Sequence, residues 1–145
     1  GIQLQGSTQT TMKVLVDTCI WHLSLRRREV ADDPCVRELA KLVKEYRVQM
    51  VGPVRQEILS GVRHQVQFEE LQAVLGAFPD LPIAAGDYER AAGFFSTCRR
   101  QGIQGSNTDF LLCAIGERHD MPIFTTDDDF KLFADRLPVA LHSVE

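Results

Sequence analysis

Asp17, Glu57, Asp109 and Asp127 are four carboxylates from four separate stretches of the chain. Asp17 closes the apolar run Val14-Leu15-Val16, and Asp127 follows Ile123-Phe124-Thr125-Thr126. Glu57 comes shortly after the run Val48 to Gly52, and Asp109 opens the apolar stretch Phe110 to Ile115. Each acid therefore lies just past an expected strand or near the start of an expected helix. Brought together, four carboxylates offer only hard oxygen ligands, the donor set that suits Mg²⁺ or Mn²⁺. Two carboxylates about 4 Å apart repel by roughly 4 kcal/mol at an effective dielectric near 20. Such a cluster opposes folding unless a cation or shared protons intervene, so binding is its natural explanation. A divalent ion there would activate water and neutralise phosphoryl oxygens, which is the chemistry of phosphodiester hydrolysis. Taken singly the acids have plainer roles. Asp17 and Asp109 could cap helices, Glu57 could be solvated, and Asp127-Asp128-Asp129 could be a surface turn.

The elements that must position them alternate. Val14 to Val16 reads as a buried first strand, and Asp33-Pro34 as a helix start with the acid as cap. Val48 to Gly52 is a second strand, stopped by Pro53, and the helix carrying Glu57 runs from there to Gly61. Phe68, Leu71, Leu75 and Phe78 mark a helix ended by Pro79, and Leu81 to Ala84 a short strand. Asp87 is expected to cap a helix with Ala91, Phe94, Phe95 and Cys98 inward, ended by Gly102. The turn Gly105-Ser106-Asn107-Thr108 leads into a helix from Asp109 to about Arg118 whose apolar residues nearly encircle it, so it should be central and buried. Pro122 to Thr126 is a strand, Asp128 to Ala134 a helix, and Leu137 to Leu141 a last strand. The alternation predicts a three-layer α/β/α sandwich around a mainly parallel sheet, with right-handed connections. In such sheets a ligand site lies beyond the carboxyl ends of the strands. Strand ends and the N-termini of the following helices share that rim, so the four acids should meet there.

A chain of 145 residues suits one domain, read here as residues 12–145. Residues 1–11 are polar and lack the parts of a signal peptide; they read as a tag or disordered extension, with Met12 as the expected native start. With 44% hydrophobic and 25% charged residues, the composition is that of a globular protein. No stretch is long and apolar enough for a membrane span, and a cytoplasmic location is the default expectation. Cys19, Cys35, Cys98 and Cys113 are scattered without zinc-ligand spacing and read as small buried hydrophobes in a reducing compartment. The net charge of −4 argues weakly against binding nucleic acid by bulk charge, less so where acids await a cation. Arg26-Arg27-Arg28 and Arg99-Arg100 are local basic clusters that could follow an RNA backbone, although such clusters are most often solvated faces.

In order along the chain, these motifs resemble those of the PIN-domain nucleases. Val14-Leu15-Val16-Asp17-Thr18 resembles the opening motif, and Pro53 with Glu57-Ile58-Leu59-Ser60-Gly61 the second acidic one. Asp109 heading an apolar helix, and Ile123 to Phe130, resemble the third and fourth. The resemblance covers Met12 to nearly the end and is closest to the VapC-like toxins of bacterial toxin–antitoxin pairs. It implies a PIN-like fold and a Mg²⁺-dependent endoribonuclease, usually a homodimer, held inactive by an antitoxin protein. It also implies that Asp17, Glu57, Asp109 and Asp127 are the catalytic and metal-site acids, with Thr125 or Thr126 the family's hydroxyl residue near the fourth. Asp129 competes with Asp127 as that fourth acid; Asp127 is preferred because it comes directly off the strand. Thr18, Ser106, Asn107 and Thr108 are candidates for positioning phosphate or carboxylates, against a plainer role in turns and caps. Leu112-Cys113-Ala114-Ile115 departs from the small-residue stretch of many relatives.

Other readings fit less well. A haloacid-dehalogenase-type phosphatase needs a second acid two residues after the first, and position 19 is cysteine. A receiver domain needs a lysine after a late strand, where this chain has acids. A Toprim-like site could use Asp127 and Asp129 but leaves Glu57 poorly placed in order. A non-catalytic PIN-fold interaction module should have lost some of the acids, and all four positions are filled. Within the nucleases, DNA is the alternative substrate. Trp21, Phe94 and Phe95 are candidates for an interface, with core packing the plainer role.

Overall fold

The computed structural model describes residues 12–25 and 32–144. The extension at 1–11 and the arginines Arg26, Arg27 and Arg28 lie outside the described residues. Strand β1 (Val14–Val16) is followed by helices α1 (Thr18–Ser24) and α2 (Pro34–Lys44), then by strand β2 (Val48–Gln49). Helices α3 (Gly52–Ser60), α4 (Gln65–Leu75), α5 (Ala85–Arg100) and α6 (Asn107–His119) come next, before strand β3 (Ile123–Phe124) and helix α7 (Asp129–Arg136).

The sheet runs β2-β1-β3, and both pairings are parallel. Val14 lies opposite Val48, and Val16 opposite Phe124. The Asp17 amide donates to the Phe124 carbonyl (2.9 Å), so the end of β1 is tied to the end of β3. All three residues of β1 are buried, as expected for a central parallel strand covered on both faces. The α/β sandwich of the sequence reading is present, with a small sheet and a large share of helix.

Helix α6 is the central one. Every residue from Phe110 to Gly116 is buried. A Cβ on Gly116 would stand 2.8 Å from the Met121 carbonyl oxygen and 3.6 Å from Leu15 Cδ1, so the missing side chain lets α6 lie directly on the sheet. Phe110 meets Phe133 (ring centroids 4.8 Å apart) and Phe95 (5.5 Å), which ties α6 to α7 and α5. Asp87 and Arg118 join α5 to α6 through two hydrogen bonds, 2.6 and 2.8 Å long.

Several expected boundaries shift. Leu81 to Ala84 and Leu137 to Leu141 are not strands; the sheet gains there only the single bridges Met50–Asp80 and Ile123–Leu141. Pro82 and Pro138 explain this, since neither can donate to a ladder. Asp87 is not the cap of α5. That position is Ala84, and Asp87 sits a turn inside, where its carboxylate accepts from the Ala84 amide (2.9 Å). Helix α6 begins two residues ahead of Asp109 because Ser106 caps it. Trp21 and Phe94 are buried and Phe95 half-buried, so all three serve the core.

Candidate metal and nuclease site

At the carboxyl edge of the sheet, Asp17 leaves β1 and caps α1. Its carboxylate accepts from the Thr18 amide (2.8 Å) and from the Thr125 hydroxyl (2.8 Å), and the Cys19 thiol leans on it at 3.5 Å. The side chain is only 7% exposed. Burial pushes the Asp17 carboxyl above the usual range, the three hydrogen bonds oppose that rise, and the charge of Asp127 adds to it.

Asp109 reaches the same edge from the first turn of α6. Ser106 and Asp109 form a reciprocal capping box: the Asp109 amide donates to Ser106 Oγ (3.1 Å), and the Ser106 amide donates to the Asp109 carboxylate (3.0 Å). One carboxylate oxygen is thus engaged, and the residue is half-buried. Its pKa is raised by burial first and then by the charges of Asp17 and Asp127, against the Ser106 bonds. Asp109 thus feels the charge of two acids that are distant from it in sequence.

Asp127 is exposed at the turn between β3 and α7. Its amide donates to Thr125 Oγ1 (3.0 Å) and its carboxylate accepts from the Asp129 amide (2.9 Å). Of the two candidates for the fourth acid, Asp127 comes directly off β3, and Asp129 gives its backbone amide to the Asp127 carboxylate, which holds the turn. Glu57 stands in the second turn of α3, later than expected, and joins through a neighbour: Thr18 Oγ1 donates to Glu57 Oε1 (2.9 Å).

The accessory residues divide. Thr18 and Thr125 each hold an acid, and Ser106 caps and holds Asp109. Thr126 reaches none of the acids by a hydrogen bond among the described residues; its Oγ1 lies 3.4 Å from Cys19 Sγ. Arg99 and Arg100 end α5. The Arg99 guanidinium lies over the Phe95 ring (5.5 Å), and Arg99 flanks Gln104 and Gly105 in the loop that leads to Ser106. Sequence reasoning missed Cys19. Its sulfur contacts Asp17, Thr125 and Thr126, joining the loops after β1 and β3. Its place two residues after Asp17 was the signal available.

The donors around this edge are carboxylate and hydroxyl oxygens, apart from that one thiol, which fits a hard cation. Among the described residues no three His, Cys, Asp or Glu side chains close into a ready-made ion cage. An open arrangement is still compatible with Mg²⁺, which commonly takes one or two carboxylates and keeps several waters.

Among known proteins, the family model described as the PIN domain matches residues 14–136. A VapC ribonuclease of Mycobacterium bovis and a ribonuclease VapC11 of Mycobacterium tuberculosis are each 30% identical over 125 residues, covering 83% of this chain and 91% of theirs. The fold also matches a FitAcB crystal structure from Neisseria gonorrhoeae, with a TM-score of 0.71, 21% identity, and 90% of this chain and 96% of that one covered. VapBC2 from Rickettsia felis, bound to a promoter DNA fragment, matches with a TM-score of 0.69, 17% identity, and 92% and 100% covered.

Proposed function

The chain belongs to the PIN-domain family, and from that premise we propose that it is a metal-dependent endoribonuclease, the toxin of a toxin–antitoxin pair acting in the cytoplasm. The observation that carries the reading is geometric: the parallel order β2-β1-β3 ties the end of β1 to the end of β3, where Thr125 bonds both the Asp17 carboxylate and the Asp127 amide, and Asp109 lies in the first turn of the helix packed on that sheet. Curated relatives at 30% identity that are ribonucleases supply the substrate class.

Asp17 and Asp109 are assigned to hold Mg²⁺ or Mn²⁺ directly. When bound, the ion would lower the pKa of water and neutralise charge on the phosphoryl oxygens. Glu57 and Asp127 hold water around the site, and one of them orients the attacking water towards phosphorus. Thr125 fixes the rotamer of Asp17, and Thr18 does the same for Glu57. Arg99, Arg100 and the cluster Arg26 to Arg28 guide the RNA backbone.

An antitoxin protein and a second copy of the chain are the assigned partners. The structural neighbours include a toxin–antitoxin complex from Klebsiella pneumoniae, matched with a TM-score of 0.58 at 22% identity. A groove of about 660 Å³ between α1, α3 and α4, lined by Leu25, Ile58, Leu71 and Val74 with Glu70 at hand, supports a protein partner. Among the described residues no helix is long and apolar enough to cross a membrane.

The test is cleavage of single-stranded RNA with and without Mn²⁺, comparing the parent with Asp17→Asn and Asp109→Asn. The reading expects cutting by the parent only, and only with the ion. Equal cutting by the variants, or by the parent after chelation, would reject it.

A further inference from the structure

A cavity of about 380 Å³ that the cleavage chemistry does not use lies at the start of α6, between α3 and α5. It is walled by Pro53 of α3, Tyr88 and Ala91 of α5, and Asn107, Thr108 and Leu111 of α6. Ala91 and Leu111 are buried, which gives an apolar floor, whereas Tyr88 is 55% exposed. Asn107 is also exposed. The hydrogen bonds of the first turn of α6 run between Ser106 and Asp109, and among the described residues the Asn107 side-chain amide has no protein partner.

The position of this cavity says more than its size. Thr108 immediately precedes Asp109. Pro53 lies four residues before Glu57 in α3, on the same helix face and one turn away. Two walls of the cavity are thus continuous with two of the four acids. A volume near the lower end of small-ligand pockets, roughly 300 Å³, suits a single planar group. An exposed aromatic ring, an apolar floor and a side-chain amide are what an unpaired base needs: a stacking face and a partner for its edge.

We propose that this cavity is a nucleobase subsite, and that Tyr88 and Asn107 set base preference next to the cut. The inference rests on the ribonuclease reading above. One unpaired base of single-stranded RNA stacks on Tyr88 while the Asn107 amide hydrogen-bonds its edge, and the attached phosphate reaches the acids. Asn is a two-pronged partner for adenine, so a purine is the favoured occupant.

The experiment uses the full chain with Mn²⁺ and a random pool of single-stranded RNA, with cut sites read by sequencing. The parent is expected to show a base preference at one position beside the cut. Asn107→Ala is expected to broaden it. Tyr88→Ala should raise KM by about 5- to 100-fold with a smaller change in kcat, and Tyr88→Phe should retain stacking. A short RNA carrying the fluorescent base 2-aminopurine at that position should be quenched by the parent and not by Tyr88→Ala. Unchanged preference, KM and quenching in Tyr88→Ala and Asn107→Ala would overturn the subsite while the ribonuclease reading stands. Tyr88→Ala that sediments as a smaller species with an unaltered cutting pattern would assign the cavity to a second copy of the chain, and would overturn it too. A parent that cuts no RNA would overturn the reading of the acidic site and this subsite with it.

Discussion

Thr125 donates its hydroxyl proton to Asp17 and accepts the Asp127 amide, so one side chain aligns two acids from two elements. Replacing it with valine keeps the shape and removes both bonds. Loss of such a supporting partner typically costs 10- to 100-fold in metal affinity or activity, and that range is expected for Thr125→Val, measured as Mn²⁺-dependent cleavage. Asp109 makes a sharper case. Unfolded, its carboxyl titrates near the ordinary value of about 3.9. Folded, its pKa is raised by burial and by Asp17 and Asp127. A carboxyl with a raised folded pKa removes stability as pH climbs from the unfolded value through the folded one. Asp109→Asn, which can still accept from the Ser106 amide, should therefore melt above the parent at neutral pH without divalent cation, and should cut RNA on the order of 100-fold more slowly or not at all. Melting curves and cleavage rates check the two halves separately. The residue types themselves made this site legible: acids after apolar runs are visible in a string of letters. Cys19 was not legible in that way. Cys98 and Cys113 are the buried hydrophobes that cysteines were expected to be, but Cys19 and Cys35 are half-exposed, and the thiol contacts of Cys19 arise only when β3 lies beside β1.

Helix α6 delivers Asp109, and its seat depends on an atom that is absent. Gly116→Ala would drive a Cβ against the Met121 backbone carbonyl, which has no rotamer to retreat into. A loss of about 1–3 kcal/mol is expected, read from denaturant unfolding, because overpacking must be absorbed by backbone movement. The partner helix α5 is held by the Asp87–Arg118 pair, in which Asp87 is almost wholly enclosed. The Arg118 hydrogen bonds hold the Asp87 carboxyl below the usual range, against burial. Its contribution is therefore present above the unfolded value and is lost as pH falls through the lower folded one. Asp87→Asn should abolish that acid-side loss and leave a weaker α5–α6 contact at neutral pH, as measured by melting temperature across pH. Helices α2 to α7 and the three strands were readable from apolar spacing and runs, because these decide their partners; α1, only seven residues long, was not expected. The two expected strands that failed, at Leu81 and Leu137, had the right apolar residues but carried Pro82 and Pro138, and hydrogen-bond supply outweighed composition.

For the molecule as a whole, excess Mn²⁺ should raise stability by about 2.7 kcal/mol at a hundred times its dissociation constant, with no such gain in Asp109→Asn. If Arg99 and Arg100 follow an RNA strand, their joint replacement by alanine should flatten the salt dependence of binding by about 0.7 per lost phosphate contact. An unchanged slope would remove them from the path. The parallel order β2-β1-β3 brings positions 17 and 127 together while most of the chain lies between them. A nascent polypeptide still short of β3 and the turn beyond it has no Thr125 beside Asp17 and no Asp127 to complete the edge. A toxin with this topology therefore has no complete acidic edge until β3 and the turn after it have been made and have folded beside β1, and an inhibitor made in parallel has that interval in which to accumulate.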